Sequence, residues 1–170
     1  MVFCKYVALA IFDNMKRFTL LVIIFLQLSC ASQYAGKING VSFVASRDKA
    51  MQKHVKPVLD INAGYAAVMP FGFIRDLNSP EIIFNTDRQW FGETKVGAKQ
   101  YIELLHKNKV KVMLKPQIWI WRGVFTGGLK MESEEAWKEL EDSYEKFILT
   151  YAALAEETHA EIFCIGTELE

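Results

Sequence analysis

The sequence predicts an α/β fold, the N-terminal half of a TIM-type (β/α)8 barrel, and three observations predict it. Short apolar, β-branched runs alternate with helix-periodic stretches to make four βα-type repeats, the pattern of a parallel sheet covered by helices. No GxGxxG and no P-loop signature follows any strand-like run, so the phosphate-binding turns of an open doubly wound sheet are missing. The chain has 170 residues, whereas a complete barrel needs about 250. It therefore reads as a partial barrel truncated after strand four.

The first repeat opens with Ile38 to Val44, a strand-like run, and Ser46 followed by Asp48 is placed to cap a helix through Met51 and Val55 toward Ile61. Pro57 is expected to kink that helix or end it early. The second strand is Tyr65 to Met69, closed by Pro70 and Gly72. Thr94 then caps a helix whose Ala98, Tyr101, Ile102 and Leu105 share one face, and Asn108 ends it. The third strand is Val110 to Leu114, continued by 115–121 into a glycine-rich loop from Gly123 to Gly128. Ser133 opens the longest helix, with Glu134 and Glu135 in its first turn, where the helix dipole favours them. Its predicted buried stripe is Trp137, Leu140, Tyr144, Phe147, Ile148, Tyr151 and Leu154. Glu161 to Gly166 makes the fourth strand.

The N-terminal part reads separately. Met15-Lys16-Arg17 followed by the apolar run Phe18 to Leu28 has the order of a secretion signal and is too short for a permanent membrane span. Leu28-Ser29-Cys30 resembles the lipobox of bacterial lipoproteins, in which the cysteine carries the lipid; the alternatives are plain cleavage or a retained anchor. Residues 1–29 thus read as leader and signal peptide, with translation starting at Met15 or, alternatively, with a genuine longer leader, 30–36 as a tether and 37–170 as the partial barrel. The protein is expected to be exported and lipid-anchored to a bacterial membrane through Cys30.

Twenty basic residues balance twenty acidic ones, so there is no broad positive field of the kind that draws proteins to nucleic acid. Removing residues 1–29 takes away Lys5, Lys16, Arg17 and Asp13, leaving a net charge of about −2. No anionic partner is implied, and a polymer substrate would be neutral. Of the three cysteines, only Cys164 lies inside the predicted fold, within an apolar run, where it reads as a small core residue. His54, His106 and His159 show no ligand spacing, so neither metal nor cofactor is expected.

Chemistry in such a barrel sits at the carboxyl ends of the strands. Alternation along 162–168 puts Glu168 on one face with Gly166, Cys164 and Ile162, while Phe163 and Ile165 turn toward the helices. A partly desolvated carboxylate there would have a raised pKa suited to a general acid. Along the third strand, Val110, Val112 and Leu114 share the helix-facing parity, and Lys115, Gln117, Trp119 and Trp121 share the other if Pro116 keeps the alternation. Aromatic faces stack on the apolar faces of sugar rings, and Gln117 can both donate to and accept from hydroxyls. Trp119 and Trp121 either serve in that way or pack the loop. Lys115 is a substrate ligand or an internal ion-pair partner, and Trp90, in the loop after strand two, is a ligand or a plug of the rim.

The segments VMPFGF (68–73), LKPQIWIW (114–121) and FCIGTELE (163–170), in that order, resemble the clan A retaining glycosidases, most closely glycoside hydrolase family 113. The resemblance spans about residues 37–170. It implies a β-1,4-mannanase-like activity on β-linked glycans, a carbohydrate partner, and Glu168 as the acid/base at the end of strand four. Many clan members place asparagine before that glutamate, bonded to the sugar 2-hydroxyl; here Thr167 takes its place, so that contact is lost or made differently. The clan's nucleophile ends strand seven, and this chain alone is therefore expected to be inactive. The competing expectations are a non-catalytic surface glycan-binding lipoprotein on a degenerate barrel, and an inactive fragment.

Overall fold

The computed structural model describes residues 37–167. Cys30 with its leader, and Glu168, lie outside the described residues. The unit that begins at Ile38 consists of strands and helices in strict alternation: β1 Gly40–Phe43, α1 Gln52–Asp60, β2 Tyr65–Val68 with its extension β3 Phe71–Ile74, α2 Lys95–Lys107, β4 Lys111–Leu114 with its extension β5 Gln117–Ile120, α3 Glu134–Thr158 and β6 Ile162–Phe163. No helix among the described residues is long and apolar enough to cross a membrane.

The main sheet is parallel throughout, in the order β1-β2-β4-β6. Spatial order equals chain order, so there is no switch point where the winding reverses, as an open doubly wound sheet requires. Each strand is joined to the next by a helix, which is how a barrel wall grows. Alternation sorts the faces: Ala66, Val68, Val112 and Leu114 are buried toward the helices, whereas Tyr65, Ala67 and Met113 are only half-buried. Against the first group pack Val55 and Val58 of α1, Ala98, Tyr101, Ile102 and Leu105 of α2, and Phe147, Tyr151 and Leu154 of α3.

Local signals placed the two later helices as expected. The Thr94 hydroxyl accepts from the Gly97 N–H at 3.1 Å, and the Ser133 hydroxyl from the Ala136 N–H at 3.2 Å; both satisfy backbone donors that no helical carbonyl can reach. The three helices end alike. Asn62, Lys109 and His159 all adopt left-handed backbone, with φ of 52°, 62° and 54°. The next residue's N–H then returns to a carbonyl five residues back, as in Ala63 to Val58, Val110 to Leu105 and Ala160 to Ala155. One αL residue thus turns each helix into the following strand.

Several expectations are corrected. The first helix is not capped by Ser46 or Asp48. Its N-cap is Met51, whose N–H donates to His54 Nδ1 at 3.3 Å, while Ser46 Oγ closes a local turn on the Asp48 N–H. Nor does Pro57 stop it, for the helix continues to Asp60 and buries Val58. The proline removes one intrahelical donor, and burial of Val55 and Val58 outweighs that loss.

Strand two does not close at Pro70. A proline interrupts the ladder because it has no N–H, but Gln117 donates to the Pro70 carbonyl at 2.9 Å and Lys115 to Val68 at 2.9 Å. The two strands resume beyond their prolines as the parallel pair β3 and β5, with Phe71 opposite Gln117 and Phe73 opposite Trp119. Trp137 was expected in the buried stripe and is 37% exposed. At about 1.5 Å per residue α3 runs roughly 37 Å, against about 13 Å for a four-residue strand. The helix is thus longer than any strand it covers; its fully buried residues begin at Leu140, and Ala136 in its first turn is only partly buried against the core.

Strand four is shorter than predicted. Its ladder pairs Met113 with Ile162 and Leu114 with Phe163, and the last rung is the Cys164 N–H on the Leu114 carbonyl at 2.9 Å. The pairing ends there among the described residues. Ile165, expected to turn toward the helices, is 76% exposed, and its carbonyl accepts from the Tyr144 hydroxyl at 2.6 Å.

Candidate functional site

The paired extensions β3 and β5 carry a polar and aromatic shelf at the carboxyl end of the sheet. The expected alternation survives Pro116: Leu114, Pro116 and Ile120 are buried, while Lys115 and Gln117 are half-buried and Trp119 is exposed. Gln117 and Trp119 therefore stand on the face away from the helices, beside Phe71 and Phe73 of the neighbouring strand. The Phe71 ring meets Trp119 edge-on, with centroids 6.5 Å apart and planes at 76°, and lies 6.2 Å from Phe73. Edge-to-face packing of this kind holds Trp119 while leaving its indole 49% exposed. An amide beside such a ring can bond hydroxyls while the ring takes up an apolar face.

The loop after β3 is fastened to this shelf. Gln89 donates from Nε2 to the Phe71 carbonyl and accepts at Oε1 from the Thr86 N–H, both at 2.9 Å. Ile83 and Phe73 exchange two backbone bonds of 2.8 Å, so the loop folds back along β3. Trp90 sits farther along this loop and is engaged by a residue that sequence reading did not single out. The Arg47 guanidinium lies 4.9 Å from its ring centroid, a cation–π contact. Glu93 accepts from the Trp90 N–H at 3.0 Å. Burial pushes the Glu93 carboxyl above its ordinary pKa, and that hydrogen bond opposes the rise.

The structure thus brings Gln117 and Trp119 together with Phe71 and Phe73. Trp90, farther along the loop, has its ring against the Arg47 guanidinium. Trp121 is 65% exposed, in a turn just beyond β5. Lys115 is half-buried beneath the shelf and makes no ion pair among the described residues. Thr167, half-buried, closes the segment after β6, where the Cys164 thiol points to the Gly166 carbonyl at 3.2 Å. No three His, Cys, Asp or Glu side chains among the described residues are grouped so as to hold a metal ion. Phe71 and Phe73 were visible in the VMPFGF run, yet only the register of β3 against β5 shows that they support Trp119.

The sequence profile of Glycoside Hydrolase Family 113 matches residues 22–170. The chain belongs to glycoside hydrolase family 113. No curated protein matches it, but solved structures do. The β-mannanase AaManA of family 113 from Alicyclobacillus acidocaldarius, in complex with ManMIm, superposes with a TM-score of 0.67 at 22% identity, over 78% of this chain and 45% of that one. A complex structure of a family 113 β-1,4-mannanase gives 0.65 at 21% identity, over 78% and 46%. A further family 113 β-1,4-mannanase structure gives 0.61 at 21%, over 76% and 45%. At such identities the likeness speaks for the fold, a family 113 TIM-barrel architecture. The chain spans about half the length of these solved structures.

Proposed function

We propose that the protein acts as a retaining glycoside hydrolase on β-linked poly- or oligosaccharides, β-1,4-mannan first, with Glu168 as acid/base. The observation that carries this reading is the shelf of Gln117, Trp119 and Phe71 at the carboxyl end of a parallel sheet in a family 113 chain. Trp119 offers an apolar face for a pyranose ring, and Gln117 groups for its hydroxyls; Trp121, Trp90, Lys115 and Thr167 are the further contacts proposed around them. Glu168 follows Gly166-Thr167 on the segment that leaves β6, which in a barrel of this kind is the catalytic end. There it protonates the glycosidic oxygen while a second carboxylate attacks the anomeric carbon, and the bond to the leaving oxygen breaks. It then takes a proton from the water that releases the sugar.

Two displacements at one carbon keep its configuration. Proton NMR of the first products released by the full-length protein from a β-linked manno-oligosaccharide is expected to show the β-anomer, before mutarotation mixes it. An α-anomer first, or no release at all, would reject the mechanism.

The protein is further proposed to reach its substrate outside the cytoplasm, tethered by lipid on Cys30. The support is the charged-then-apolar leader and the Leu28-Ser29-Cys30 run. Cys30→Ala is expected to move the protein from the membrane fraction to the soluble fraction on cell fractionation. An unchanged distribution would argue for another anchor.

A further inference from the structure

The loop after β5 has an unusual backbone. Arg122 (φ 68°, ψ 12°) and Gly123 (φ 71°) lie in succession in the left-handed region, and Ile120 and Val124 on either side form an antiparallel bridge. Two successive positive-φ residues are what a tight hairpin needs to match the twist of its flanking segments. Glycine takes this conformation without strain, and arginine does not. A non-glycine residue held there is a strained feature that calls for a structural reason.

Trp119 stands beside this turn. A Cβ built on Gly123 would lie 3.5 Å from the Trp119 Cζ2, an ordinary van der Waals distance, and the ring of Phe71 meets the indole edge-on at 6.5 Å between centroids. Ile120, next to Trp119, is buried and anchors the near arm of the hairpin. The turn brings Gly123 back beside the ring that β5 has just presented, and the missing side chain leaves room there. We propose that the left-handed turn at Arg122–Gly123 is a positioning device for Trp119: it sets a residue without a side chain beside the indole, with no bulk there to push the ring off the Phe71 edge, so that one face stays open as a stacking platform for a sugar ring of a β-linked glycan. The sugar-binding part of this inference rests on the function proposed above; the placing of the ring does not.

The consequence is a residue that sets glycan affinity without touching the glycan. A β-branched side chain at Gly123 would carry atoms beyond the Cβ position already in contact with the indole, in a backbone conformation that such residues avoid. Asparagine tolerates left-handed backbone.

The test is a double-mutant cycle on the full-length protein, with calorimetric affinity for a soluble linear β-1,4-manno-oligosaccharide as the readout. Gly123→Val is expected to weaken binding about tenfold, the size of a lost aromatic contact, and Gly123→Asn to change it by less than about threefold. Trp119→Ala should weaken binding at least as much as Gly123→Val, and adding Gly123→Val to it should cost nothing more. Wild-type affinity in Gly123→Val, or losses that simply add, overturns the proposal.

A second readout needs no sugar. The Trp119 contribution to the near-ultraviolet circular dichroism, taken as the difference between each protein and its Trp119→Phe variant, is expected to collapse in Gly123→Val and persist in Gly123→Asn. If the wild type binds no glycan, this arm still decides whether the turn holds the ring, and only the glycan reading falls.

Discussion

Glu168→Gln in the full-length protein is expected to lower turnover of natural β-linked glycans by roughly 10²- to 10⁴-fold, the range of a positioned general acid/base. The amide is nearly isosteric with the carboxylic acid and cannot give up a proton to the departing oxygen. The loss should depend on the leaving group. An aryl glycoside whose phenolate departs unassisted no longer needs protonation in the first step, so there the variant should lag mainly in the second step, where a base must deprotonate water. The covalent intermediate then accumulates, and kcat and KM fall together. The limb of the pH–rate profile that reports the acid should also disappear. Steady-state rates on a manno-oligosaccharide and on an activated aryl glycoside check all three, and unchanged rates on the natural substrate would sink the assignment.

Phe147→Ala is expected to give the largest loss of stability. Phe147 is fully buried on α3 and packs edge-on against Phe84 and Tyr151, each at 5.2 Å between centroids. Below it Gly72 of β3 is so close that a Cβ there would lie 2.9 Å from Phe147 Cε2 and 2.6 Å from Ile82 Cγ2. One ring therefore ties the longest helix to the strand that carries Phe71 and to the loop that returns along it. Removing it leaves a cavity under all three, at a cost of about 3–5 kcal/mol. For a chain of this size that is a fall of roughly 6–20 °C in thermal midpoint. Phe147→Leu refills most of the space and should recover much of the loss. Denaturant unfolding of the two variants beside the wild type measures both, and a loss under about 1 kcal/mol for the alanine would contradict the packing described here.

Much of the fold was legible before any coordinates. Thr94 and Ser133 announced their helices by side-chain chemistry local to one turn, and the stripes Ala98-Tyr101-Ile102-Leu105 and Leu140-Phe147-Tyr151-Leu154 announced which faces are covered. Alternation through Val112, Leu114, Gln117 and Trp119 set apart the two faces of the third repeat. The same reasoning failed where an element's end, not its period, was at stake. Pro57 looked like a stop and is passed; Pro70 looked like a stop and is only an interruption, because Gln117 bonds across it. Ile165 was expected to turn toward the helices and is exposed, one residue past the last rung at Cys164.

By itself the sequence determined the class of fold, the order and faces of its elements, the family motifs and the candidacy of Glu168, Gln117 and Trp119. Those follow from interactions within a few residues: caps, periods of 3.6 and 2, and short motifs. Only the tertiary structure decided that the Phe71 ring meets Trp119 edge-on and that Arg47 lies over the ring of Trp90. Both depend on where segments far apart in the chain meet, which strand register and loop path settle and local pattern does not.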